Sequence, residues 1–120
     1  MKVEQASRYP KPCAQEFDYM ASTNPKMLDE WIRSGELEHV HVSFAAEALG
    51  GADDVAPFVD TLLSLLCHAS SIIREGAVFG LGRQCCTDPS IVSWLQITSL
   101  LDPSMGVRST ARDVLENALA

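Results

Sequence analysis

The sequence predicts an all-α protein, a short α-solenoid of about three helical hairpins, and three observations carry that expectation. Apolar residues recur at four-residue spacing, as in Ile73, Ala77 and Leu81, instead of alternating as they do in half-buried strands. Helix punctuation separates these runs, with proline at first helical positions and glycine just past the ends. The runs also pair into a unit that recurs after 32 to 34 residues. No Asn-Gly or Asp-Gly dipeptide joins two β-branched runs, so strand hairpins have no support.

Each element follows from this punctuation. Residues 1–23 stand outside the repeats: "RYPKPC" reads as extended or disordered, and "AQEFDYMAS" as a short capping helix whose Phe17, Tyr19 and Met20 cover the open end of the first repeat. The first repeat, 24–51, opens with "TNPKMLDEWIRSG", where Asn24 is the expected N-cap, Pro25 the first helical residue and Gly35 the stop. Its second helix, "EHVHVSFAAEALGG", buries Val42, Ala45 and Leu49 and ends at Gly50-Gly51. The second repeat, 53–86, begins with "DDVAPFVDTLLSLLC", where Asp53 or Asp54 should cap, Pro57 falls in the first turn, and Phe58, Leu62 and Leu66 align. A helix from about Ser70 to Cys86 completes it. The third repeat, 88–120, uses Asp88-Pro89 and then Asp102-Pro103 to open its two helices.

Superposing the second helices exposes the repeat. Ala45-x-x-x-Leu49-Gly50 returns as Ala77-x-x-x-Leu81-Gly82 and again as Ala111-x-x-x-Leu115, and Ile73-Arg74 matches Val107-Arg108. The middle copy carries Gly76, Gly80 and Gly82, although an interior glycine costs a helix roughly 1 kcal/mol relative to alanine. The expected compensation is close approach of a neighbouring backbone, which gives Gly76, Ala77 and Gly80 a structural role.

These motifs resemble the HEAT-repeat family in its short bacterial form, whose pattern stands almost intact as "DPSMGVRSTARDVL", Asp102 to Leu115. "HASSIIREGAVFGL" keeps Ile73, Arg74, Ala77 and Leu81, with His68 in place of the aspartate, and the first repeat has Val42 where the others have arginine. The resemblance covers roughly residues 25–119. It implies structural roles for Arg74 and Arg108, each pairing with an acidic residue in a neighbouring turn, and an inner surface lined by the second helices. The residues expected on that surface to contact a partner are His41, Glu47, Glu75, Phe79, Arg83, Ser109, Arg112 and Glu116, with Ser43 among the positions beside them. Phe79 and Arg83 are the residue types that concentrate binding energy.

Composition narrows the function. The chain of 120 residues is read as one small domain, and it carries 9 basic and 16 acidic side chains for a net charge of −7. The excess lies in the first half, at Glu36, Glu38, Glu47, Asp53, Asp54 and Asp60 among others, which disfavours nucleic acid and anionic membrane and favours a partner with a basic surface. No secretory signal or membrane-spanning run is legible, and Cys13, Cys67, Cys85 and Cys86 show no zinc or disulfide spacing, so buried or half-buried thiols in a cytoplasmic protein are expected. His39, His41 and His68 form no recognisable catalytic or metal-ligating set.

The expected function is therefore a non-catalytic protein–protein interaction module without metal or cofactor, most concretely a small inhibitor of the immunity type or an adaptor. Two alternatives come with the family resemblance: a phycobilin-lyase-like enzyme component, and a nucleic-acid binder using Arg74, Arg83, Arg108 and Arg112. The last helix, with Arg112, Asp113 and Glu116 outward, is expected to act as a polar cap on a protein that is monomeric when free.

Overall fold

The structure is a computed structural model and describes residues 14–84 and 88–119. Seven α-helices and one short 3-10 turn form the secondary structure of these residues, with no strand among them. In chain order they are α1 (Ala14–Thr23), α2 (Pro25–Ser34), α3 (His39–Leu49), the 3-10 turn Ala56–Phe58, α4 (Val59–Leu65), α5 (Ser71–Gly82), α6 (Pro89–Leu101) and α7 (Met105–Leu119).

Helices α1, α3, α5 and α7 pack side by side in that order, while α2, α4 and α6 each pack on the long helix that follows them in sequence. The shortest dimension of the molecule is 20 Å, about the thickness of two helix layers. Phe17, Leu28, Leu49, Leu62, Ile73, Leu81, Ile91 and Leu95 are fully buried and make one continuous core between the layers. No helix among the described residues is long and apolar enough to cross a membrane.

Local chemistry explains the helix ends. The Asn24 carboxamide oxygen accepts from the Met27 amide at 3.3 Å, Pro25 opens α2, and Gly35 closes it in the left-handed conformation at φ 76°. Asp88 caps α6 by accepting from the Ser90 amide at 2.9 Å, and the Ser104 hydroxyl oxygen accepts from the Val107 amide at the start of α7. Asp53 and Asp54, expected as caps, are exposed and cap nothing. The chain instead enters α4 through the 3-10 turn around Pro57, which moves the first helical residue to Val59. Likewise α5 stops at Gly82, short of the expected Cys86. Arg83 and Gln84 turn back in 3-10 fashion onto the Gly80 and Leu81 carbonyls.

The glycines of α5 answer the question they raised. A Cβ at Gly76 would lie 2.5 Å from the Ser43 Cα, and one at Gly80 would overlap the Ala46 carbonyl oxygen, so α3 and α5 touch backbone to backbone. Gly50 takes part from the other side, its hypothetical Cβ 2.5 Å from the Gly80 Cα. Gly82 serves a different neighbour, since a Cβ there would collide with the Val114 side chain of α7.

The 34-residue register is visible in hydrogen bonds. Arg74 Nη1 donates to the His68 carbonyl at 2.8 Å, and Arg108 Nη1 donates to the Asp102 carbonyl at 2.6 Å, the same bond one unit later. The rest of the Arg74 guanidinium grips the Asp102 carboxylate in two bonds of 2.9 and 3.1 Å, joining α5 to the turn before α7. Asp102 also accepts from the Ser104 amide at 2.8 Å. A second polar joint, buried at Thr61 and Asp29 and exposed at Arg33, links α2 to α4: the Thr61 hydroxyl donates to Asp29 at 2.5 Å and accepts from Arg33 at 2.6 Å.

At the other end, α1 lies against α2 and α3. Phe17 is fully buried, its ring edge-on to Trp31 at 6.5 Å, and Met20 is half-buried. Tyr19, expected to share that role, is 69% exposed, because the buried stripe runs through Phe17 and Ala21 and leaves Tyr19 on the opposite side. Cys67 is also exposed, against the expectation of a buried thiol, because it sits in the turn after α4. Cys13, Cys85 and Cys86 lie outside the described residues, as does "RYPKPC".

Candidate protein-binding face

Three long helices build a surface groove. Glu47 of α3, Phe79 and Gly82 of α5, Arg83 just beyond it, and Val114, Asn117 and Ala118 of α7 enclose about 330 Å³. The absence of a side chain at Gly82 lets Val114 seat against α5 and sets the groove floor. Phe79 is 40% exposed, so its ring is available at the wall without leaving the fold. Arg83 arches over the end of α3, where a Cβ on Gly51 would strike its Nη1. Helix C-termini carry partial negative charge, which favours a guanidinium there. Beside it the Gln84 amide donates to the Gly50 carbonyl at 2.5 Å. The result is an apolar floor with an aromatic wall, one carboxylate and one guanidinium at its rim.

Of the residues expected to contact a partner, the fold brings Glu47, Phe79 and Arg83 together at this groove. Glu75 accepts a 2.7 Å bond from the Thr110 hydroxyl and ties α5 to α7. His41 is half-buried toward α1, its ring 6.5 Å from that of Phe17 and its Nδ1 3.4 Å from Glu38. Ser109, Arg112 and Glu116 are exposed and do not line the groove. At 100° per residue they project from the side of α7 opposite Val114 and Ala118. The four positions assigned structural roles lie at helix joints: Arg74 and Arg108 in the turn-bridging bonds, Gly76 and Gly80 in the α3–α5 seam.

The groove also uses residues that sequence reasoning missed. Val114, Asn117 and Ala118 sit beside the buried stripe of Val107, Ala111 and Leu115, and only the rotation of α7 about its axis decides which flank turns toward α5. The clue available was Gly82, whose missing side chain marks where a neighbour must enter.

Two histidines assigned to no set do meet. The His39 and His68 rings stand edge-on at 5.6 Å beside a cavity of about 130 Å³ that Leu37, Leu65 and Ile73 help to line. His68 Nδ1 accepts from the Ser70 amide at 2.9 Å, fixing its ring at the start of α5. Among the described residues no three His, Cys, Asp or Glu side chains converge as a metal site would need.

Comparison with protein-family models, with curated proteins and with solved structures finds no match to this chain.

Proposed function

We propose that this chain is a non-catalytic protein-interaction module, a short HEAT-like solenoid that binds a partner protein through the groove formed by its long helices. The observation that carries this reading is the half-exposed Phe79 between Glu47 and Arg83 over an apolar floor. Aromatic and arginine side chains are enriched where protein contacts concentrate their binding energy, and this groove presents one of each. The acidic first half supports a partner with a basic surface, drawn in by long-range attraction. A small inhibitor of the immunity type or an adaptor fits this combination. Nucleic-acid binding fits less well, because Arg74 and Arg108 are engaged in bonds within the fold while Arg83 and Arg112 project from different faces.

The test is affinity capture from source-cell lysate with three tagged forms that share one circular dichroism spectrum: the wild type, Phe79→Ala/Arg83→Ala and Arg112→Ala. A protein retained by the wild type and by Arg112→Ala, but lost with Phe79→Ala/Arg83→Ala, would support the groove as the binding site. Equal capture by all three would reject it.

A further inference from the structure

Glu47 and Arg83 line one groove with opposite charges and do not pair. Among the described residues neither side chain makes a hydrogen bond or an ion pair, with the other or with any neighbour. By contrast Arg74, Glu75 and Arg108 on the same long helices are held by Asp102, Thr110 and the Asp102 carbonyl. The backbone keeps the two charges apart. The Arg83 guanidinium lies over Gly51, four residues and so about one helical turn past Glu47, and a Cβ at Gly51 would drive it away. The rest of the lining is largely apolar, with Phe79, Gly82, Val114 and Ala118. At about 330 Å³ the groove is near the small end of ligand pockets, room for one large side chain.

Resting on the groove as the contact site, we propose that its occupant is a protein segment with one large apolar side chain set between a carboxylate, which pairs with Arg83, and a basic group, which pairs with Glu47. When an apolar side chain covers the groove, both charges lose water. A segment that supplies the two opposite charges replaces that hydration with charge-assisted hydrogen bonds, and one without them leaves two charges stripped and unpaired. The carboxylate is the discriminating group. The net charge of −7 draws in basic surfaces and disfavours acids at long range, so Arg83 adds a requirement that long-range attraction does not. A uniformly basic segment would set like charge against Arg83, a juxtaposition that rejects partners. A small apolar molecule would leave both charges without partners. A small zwitterion is the poorer occupant too, because small-molecule sites enclose most of their ligand, whereas the Phe79 wall of this groove is 40% exposed.

Selection of random short peptides from a display library on the immobilised full chain tests the proposal, with Phe79→Ala used to discard peptides that bind elsewhere. Peptides held by the wild type and lost with Phe79→Ala should share an apolar residue flanked by one acid and one base. Arg83→Glu, at an exposed position, should keep the wild-type circular dichroism spectrum. A synthetic copy of the best peptide should bind that variant about tenfold more weakly, and exchanging the peptide's acid for Lys should restore the affinity. Phe79-dependent peptides without this charge pattern, or with undiminished binding to Arg83→Glu, would overturn the inference while leaving the groove a binding site. Free leucine competing as well as the peptide would overturn it in favour of a small zwitterion. A selection with no Phe79-dependent peptide would overturn the groove as the contact site, and this inference with it.

Discussion

At the scale of single residues, two glycines show how position decides the value of a missing side chain. Gly80 of α5 lies against the Ala46 carbonyl, and its would-be Cβ is also 3.3 Å from Leu62 Cδ2, so any side chain must force α3 and α5 apart. Gly80→Leu is therefore expected to unfold the protein or destabilise it by at least about 3 kcal/mol, beyond ordinary overpacking, because backbone cannot rotate away. Gly106, in the first turn of α7, has nothing closer than the Ser104 hydroxyl at 3.6 Å and is exposed. Gly106→Ala should raise stability by up to about 1 kcal/mol, since alanine restricts the unfolded chain and fits the helix. Urea denaturation of the two variants beside wild type checks both signs, and equal effects would refute the close-approach account of α5.

At the scale of elements, the joints between helices matter more than the helices alone. Arg74, 8% exposed, supplies two bonds to Asp102 and two to carbonyls at the start of α5, whereas half-buried Arg108 supplies one carbonyl bond. Removing one member of a buried ion pair strands the other, so Arg74→Ala is expected to cost about 3–5 kcal/mol. Arg108→Ala should cost about 1 kcal/mol, the loss of one partly solvated bond. A double-mutant cycle with Asp102→Ala should show coupling of at least about 1 kcal/mol for Arg74 and little for Arg108. Equal costs for the two arginines would mean that the repeat position, and not the Asp102 contact, determines the effect. Both arginines were legible in the sequence because their spacing repeats, and so were the α2 and α6 caps, because proline and a capping side chain fix them locally. What escaped was set by tertiary placement. Asp54 precedes a 3-10 turn that no local signal distinguishes from helix, and the face of α7 that meets the groove depends on its rotation against α5. The Asp29–Thr61–Arg33 joint links residues 28 to 32 positions apart with no pattern in the sequence to announce it.

At the scale of the whole molecule, the side-by-side order of α1, α3, α5 and α7 makes stability a matter of neighbours. Helix α5 packs on α3, α4, α6 and α7, while among the described residues α1 packs chiefly on α2 and α3. In such an array each helix is held by its nearest interfaces, so the interior opens last and the ends open first. Native-state hydrogen exchange should accordingly find the slowest amides between Ala77 and Leu81, exchanging only through global unfolding. Amides of α1 should exchange through a separate, lower-energy opening that releases Phe17. Phe17→Ala should enlarge that difference, since it removes the one aromatic side chain that α1 buries completely. The amides of α5 should slow or quicken with Gly80 and Arg74 variants but scarcely with Phe17→Ala. Uniform exchange across α1 and α5, unchanged in free energy by Phe17→Ala, would mean that the helices unfold as a single unit and that end helices draw support from more than their nearest neighbours.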